Sequence, residues 1–267
     1  NFSTFSELLP PELLVTLMNE YLTEVTNVVI EEGGTLDKYI GDAVVAMFGA
    51  PFDLENHPLK ACIAACRIQE KQSVLRERWM RDGRSWPQEI FSMRTRIGLC
   101  SGNAVVGNMG SSSRFNFTMM GDTVNIAARC ESGAKTFGVY TLVCEDTYKE
   151  ILQVPNSLVF RFIDRIVVKG RQQPLGVYEL LGMKHQLKEK TFDCVEVFEQ
   201  GIHFYLSQNW DKAIDCFQRS SDLEPMIPGR DLGIFTNPSL VLLERCQHLK
   251  ANPPEDGWNG VFVMKTK

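Results

Sequence analysis

A strand–turn–strand signal set between two amphipathic helices is the feature that most limits how this chain can fold. Residues 35–48 hold two apolar, β-branched runs broken by Gly41-Asp42. A Gly-Asp pair between such runs marks a hairpin, and a hairpin makes its strands antiparallel. On one side, Leu14, Leu17, Tyr21 and Val25 recur at helical spacing within 6–31. Ser6 can cap that helix, Pro10-Pro11 lies near its start, and Gly33-Gly34 ends it. On the other side, 57–79 is rich in Ala and again apolar at helical spacing. With hairpins interrupting the helices, the regular alternation of a doubly wound parallel sheet fits less well. The expected class is α+β, a mainly antiparallel sheet covered by helices.

Further along, a second hairpin is expected from 93–100 and 104–107, turned at Ser101-Gly102-Asn103. A strand at 115–119, a helix at 123–134, a strand at 139–144 and a short helix at 147–151 follow. Strands at 160–168 and 175–181 form a last pair. From about residue 183 the texture changes. Helices are expected at 192–207 and 210–223, with Gly201, Phe204, Ala213, Phe217 and Pro225 at the spacings of one tetratricopeptide repeat. A lone repeat cannot bury its own face, so it is expected to pack on the preceding domain or on a partner. The division is 1–182 as the main domain and 183–267 as a small, all-helical extension. Trp210 and Trp258 are read as packing anchors.

A net charge of −5 over 267 residues argues against a surface built to coat nucleic acid. The eight cysteines form no CxxC pair and no cluster with histidine, which fits free thiols in a reducing compartment. No apolar run is long enough to span a bilayer and no leader segment is apparent. The expected location is cytoplasmic, whether or not a longer protein is tied to a membrane. Asn1 is not an initiator Met, and the chain reads as a piece of something longer that carries an upstream regulatory domain.

Three segments could carry chemistry. Asp42, at a hairpin tip, lies outside the hydrogen-bond ladder and can face a ligand. Asn125 and Arg129 are four apart on a helix that starts at Gly121-Asp122-Thr123, so an amide and a guanidinium share one face. Lys169 and Arg171 form a basic turn after an apolar strand, where a cation can reach a phosphate. Each has an ordinary explanation when taken alone: a turn aspartate, a capped solvated helix, a surface loop. Their joint order is what carries weight.

Lys38-Tyr-Ile-Gly-Asp42, Arg96-Ile-Gly-Leu-Cys100, Thr118-Met-Met-Gly-Asp-Thr-Val-Asn125 through Arg129, and Val168-Lys-Gly-Arg171 occur in that order, with Asn1-Phe-Ser-Thr ahead of them. Together they closely resemble the class III adenylate and guanylate cyclases over about residues 1–182. The resemblance implies a ferredoxin-like cyclase homology domain that works as a head-to-tail homodimer with interfacial active sites. From one protomer it assigns Asp42 to metal binding, Arg96 to the terminal phosphates, and Phe2 and Ser3 to the backbone that cradles phosphates. From the other it assigns Lys38 and Thr118 to the purine, Asn125 to the ribose, Arg129 to the pentacoordinate α-phosphate and Lys169 to the terminal phosphates.

The implied reaction is attack of the ribose 3′-hydroxyl of ATP on its own α-phosphorus, releasing pyrophosphate and assisted by two Mg²⁺ or Mn²⁺ ions. Base choice follows from donors and acceptors. Lys38 can donate to adenine N1 and Thr118 can accept from the 6-amino group, which favours ATP. Thr is less discriminating than a carboxylate, so some use of GTP is expected. The resemblance also places the family's first metal-binding Asp just ahead of Asn1, together with the strand that bears it. The alternatives are a guanylate cyclase, or a degenerate domain that binds nucleotide and regulates a neighbour.

Overall fold

The computed structural model describes residues 6–167, 174–255 and 257–263. Helix α1 (Pro11–Glu31) opens on Pro11 at its first turn and hands over at Gly33-Gly34 to strands β1 (Thr35–Ile40) and β2 (Ala43–Met47). These pair antiparallel around Gly41, whose φ of 61° suits a residue without a Cβ. Helix α2 (His57–Arg81) then packs along α1. The shared core holds Leu17, Tyr21 and Val25 from α1 with Ile68, Leu75 and Trp79 from α2.

A short helix α3 (Gln88–Phe91) leads to β3 (Ile97–Leu99), β4 (Val105–Gly110) and β5 (Phe115–Met120). Helix α4 (Asp122–Phe137), β6 (Thr141–Cys144), α5 (Glu145–Ile151), β7 (Leu158–Val167) and β8 (Leu175–Met183) complete the first part. The extension contributes α6 (Glu189–Leu206), α7 (Trp210–Leu223), α8 (Pro238–Ala251) and β9 (Val261–Val263). The main sheet has the order β3-β6-β8-β7-β9. Its β6–β8 and β8–β7 pairs are antiparallel, while β3–β6 and β7–β9 are parallel.

Both faces of this sheet are covered. Successive residues of a strand face opposite ways, so Leu142 enters the core with α4 and the extension while Val143 enters the core with α2. The fold class is the α+β arrangement expected. Two details differ from the sequence reading. The segments 93–100 and 104–107 do not pair with each other: β3 joins β6 in the main sheet, and β4 forms a separate hairpin with β5. The extension is also not all-helical, because β9 adds an edge strand beside β7.

The extension and the first part share one continuous core, in which Phe198, Phe217 and Leu242 join Phe137, Leu142 and Ile163. Beside it lies a buried polar tie. Arg161 on β7 donates to Glu179 on β8 at 2.5 and 3.0 Å, and to Glu224 beyond α7 at 2.9 and 3.1 Å. The Ser239 amide and hydroxyl satisfy Glu224 further. Arg245 on α8 reaches Asp164 at 2.6 Å. Trp210 and Trp258 pack edge-to-face on each other and on Tyr205, as anchors should. The eight cysteines are free, all but Cys100 fully buried. Among the described residues, no helix is long and apolar enough to cross a membrane.

Candidate active site

The site begins with an irregularity in β1. Leu36 lies opposite Ala46 and Lys38 opposite Val45, so Asp37 is the extra residue of a β-bulge. A bulge interrupts the alternation of faces. Asp37 and Lys38, which a regular strand would send to opposite sides, come within 3.6 Å of each other. Both meet Thr118 on β5. Lys38 Nζ donates to Thr118 Oγ1 at 2.9 Å, and the Thr118 hydroxyl donates to Asp37 Oδ2 at 2.8 Å. The Asp37 side chain is 2% exposed, that of Lys38 41%.

Asp42 follows on the turn of the same hairpin and is exposed to solvent. Opposite it stands α4, held very close to β3. A Cβ on Gly98 would lie 2.0 Å from the carbonyl oxygen of Ala127, so only glycine permits this approach. The α4 helix presents Asn125, exposed, and Arg129, half-buried, one turn apart. Among the described residues, neither side chain of this pair is tied up in an ion pair. Arg96, just before β3, is paired with Glu131 of α4 at 3.0 Å.

Between the hairpin and α4 runs a cleft of about 1330 Å³. Its walls include Lys38, Asp42, Arg96, Asn125, Glu131 and Lys135. Thr118 and Arg129 are not among its walls; Thr118 reaches the cleft's chemistry through Lys38. Tyr21 lies along the floor, where burial pushes its phenol above the ordinary value despite the hydroxyl of Thr95, and the charges of Asp42 and Glu131 add to the rise. It is therefore a neutral group at physiological pH.

Phe2, Ser3 and Lys169 lie outside the described residues. A divalent cation is the group that the resemblance implies. Asp42 fits it as a hard oxygen donor on an exposed turn, because Mg²⁺ is commonly held by one or two carboxylates plus substrate phosphates. Among the described residues, no group of three or more His, Cys, Asp or Glu side chains could hold an ion by itself.

Over residues 1–182 the sequence matches the family described as the adenylate and guanylate cyclase catalytic domain. The chain belongs to this cyclase family. The cyclase domain is 33% identical to adenylate cyclase 1 of Rhizobium meliloti over 183 residues, which are 68% of this chain and 26% of that protein. The chain thus spans about a quarter of that relative's length. Among solved structures, the adenylyl cyclase CyaB from P. aeruginosa is similar at 30% identity with a TM-score of 0.60, covering 70% of this chain and 91% of that one. The guanylyl cyclase Cya2 is similar at 25% identity with a TM-score of 0.58, covering 70% and 89%.

Against this background, the structure brings Lys38 and Thr118 into direct contact and sets Lys38, Asp42, Arg96 and Asn125 around one cleft of the cyclase domain. Three further residues escaped the sequence reading. Asp37 was invisible because its orientation depends on the bulge. Glu131 and Lys135 were legible in part, since both lie within ten residues of Asn125 on the same helix and four apart from each other.

Proposed function

We propose that this domain converts ATP into 3′,5′-cyclic AMP and pyrophosphate, at sites shared between two copies of the chain. The observation that carries the reading is the Lys38–Thr118 pair, hydrogen-bonded at 2.9 Å. Lys38 supplies a donor for adenine N1, and Thr118 supplies an acceptor for the 6-amino group.

The other roles follow from chemistry and position. Asn125 orients the ribose so that its 3′-hydroxyl faces the α-phosphorus. Arg129 meets the negative charge that grows on the α-phosphate oxygens in the transition state, where a preorganised cation is most effective. Arg96 and Lys169 hold the terminal phosphates, with Arg96 exchanging Glu131 for phosphate oxygens, and the backbone at Phe2 and Ser3 cradles them. Mg²⁺ or Mn²⁺ on Asp42, two ions per site with a second carboxylate from upstream, would acidify the 3′-hydroxyl and neutralise the leaving pyrophosphate.

Two features favour a homodimer. Asp42 belongs to the set that the family draws from one protomer, and Lys38, Asn125 and Arg129 to the set drawn from the other. The two hairpins also expose large apolar side chains, Ile40, Val105, Phe115 and Met120, a composition suited to an interface. We read α6 and α7 as a tetratricopeptide-like hairpin that braces the catalytic part. GTP is the second substrate to consider, because the similar solved structures include a guanylyl cyclase. The test is to incubate the chain, expressed with its natural upstream segment, with Mn²⁺ and either nucleotide and to quantify cyclic product and pyrophosphate. Cyclic AMP in excess of cyclic GMP supports the reading. Cyclic GMP in excess replaces it with the second, and no cyclic product from a folded dimer that binds ATP points to a regulatory domain.

A further inference from the structure

Asp37 carries none of these roles, yet its carboxylate meets both members of the base-reading pair. Its side chain is 2% exposed. One oxygen, Oδ2, accepts the Thr118 proton at 2.8 Å. The other, Oδ1, is buried without a hydrogen-bond partner and lies 3.6 Å from Lys38 Nζ. A carboxylate kept out of water with one oxygen unmet is an expensive way to fill space, and an apolar side chain would serve a structural purpose better.

A threonine hydroxyl has one proton and two lone pairs. Left to itself it can accept from the 6-amino group of adenine or donate to the 6-oxo group of guanine, and so it cannot tell them apart. Here both alternatives are constrained. The Thr118 hydroxyl donates its single proton to Asp37 Oδ2. Lys38 Nζ, a pure donor, takes one lone pair. What remains on Thr118 Oγ1 is one lone pair, able to accept and unable to donate.

We propose that Asp37 is a specificity-determining positioning residue: it fixes the Thr118 hydroxyl as an acceptor, which admits the 6-amino group of adenine and rejects the 6-oxo group of guanine. The inference rests on the reading of Lys38 and Thr118 as the base-recognising pair. Threonine then performs the task of a carboxylate at one remove. The bulge in β1 is what makes this possible, since it turns Asp37 and Lys38 to the same neighbour. The expectation of loose discrimination, drawn from Thr118 alone, omits the group that holds its proton.

The test compares wild type, Asp37→Asn, Thr118→Asp and the double variant Asp37→Asn/Thr118→Asp in the full-length chain. Two quantities are read for each: the ratio of kcat/KM for ATP and GTP, and the ratio of Kd values for 3′-deoxy-ATP and 3′-deoxy-GTP, which bind but cannot cyclise. Asparagine keeps the shape of Asp37. Its amide oxygen turns toward Lys38 and its NH2 toward Thr118, which releases the hydroxyl to donate. The ATP-over-GTP ratio should fall about tenfold or more, the scale set by leaving one buried polar group unmet. Thr118→Asp in the Asp37→Asn background supplies an acceptor directly and should restore the ratio.

A structural role for Asp37 would instead lower both nucleotides together and leave both ratios within about twofold of wild type, and that result overturns the proposal. So does a double variant as unselective as Asp37→Asn alone. If Asp37→Asn fails to fold, Asp37→Ala takes its place, since it also frees the Thr118 proton: its ATP-over-GTP ratio should fall likewise, and a ratio within about twofold of wild type overturns the proposal. A wild-type enzyme with no preference for ATP fails at the earlier step, the assignment of the base-reading pair.

Discussion

Arg96 and Glu131 face each other across the β3–α4 contact at 3.0 Å, with 33% and 43% of their side chains exposed. A pair this wet is worth little, about 1 kcal/mol at most. It can keep Arg96 extended toward the cleft without competing strongly for it. Glu131→Gln should therefore lower KM for ATP by up to about fivefold while kcat stays nearly constant, because the arginine no longer leaves a partner. Steady-state kinetics separate the two parameters. A fall in kcat with unchanged KM would contradict this role for the pair.

Arg129 is assigned to charge that exists only in the transition state. Arg129→Ala should lower kcat by about 10²–10³ with little change in KM, as when one oxyanion donor is removed. Lys38→Ala, which touches the base in ground state and transition state alike, should act mainly on KM. Measuring kcat and KM for both variants checks the contrast.

The extension should matter for stability more than for chemistry. Glu224 accepts from Arg161, and Arg161 is wholly buried. Glu224→Ala removes one carboxylate from the Arg161–Glu179–Glu224 cluster and leaves the Ser239 amide and hydroxyl proton without their acceptor. A loss of about 3–5 kcal/mol is expected in urea unfolding. Limited proteolysis should then cut first in residues 225–236, which join α7 to α8.

Glu20 should set part of the acid limit. Burial tends to raise its pKa, but hydrogen bonds from Trp79, Arg84 and Arg78 outweigh this and hold the carboxylate below its ordinary 4.5. A depressed folded pKa means stability that is fully present above the unfolded value and lost as pH falls through the folded one. Glu20 ties α1 to α2 and to the loop after it. Below pH 4.5, wild type should lose stability that Glu20→Gln does not lose, having forfeited it already at neutral pH. Chemical denaturation at a series of pH values measures this.

How much of this was legible in the sequence varies with the range of the interaction. The β1–β2 hairpin, α2 and α4 are local patterns, and each appears with ends near those expected; α1 ends where expected but starts at Pro11 and not at 6, with Pro10 rather than Ser6 at its N-cap, because a proline suits the first turn and breaks a helix that would run through it. β3 was given the wrong partner because Ser101-Gly102-Asn103 has turn chemistry, whereas its true partner, β6, is distant in sequence and nothing local announces it. α8 was missed although Asn237 caps it at the Leu240 amide and Pro238 opens it. Its contiguous run Leu240-Val-Leu-Leu243 has no single apolar stripe, so helical periodicity was hidden. In the site, Lys38, Thr118, Asp42, Asn125 and Arg129 stood out through short motifs. Asp37 did not, because strict alternation would turn it away from Lys38 and only the tertiary bulge brings it back.

A complementation assay tests most directly whether the chain is an ATP cyclase whose active site is shared between two copies. Asp42→Ala and Arg129→Ala full-length chains are each assayed with Mn²⁺ and ATP, then mixed and allowed to exchange subunits, with exchange verified from differently tagged chains. Each variant alone should be nearly inactive. Random pairing makes half the dimers mixed, and each mixed dimer has one intact site and one doubly damaged site. The mixture should therefore recover about a quarter of wild-type cyclic AMP formation. Activity no greater than the sum of the two variants, despite verified exchange, would contradict a shared site.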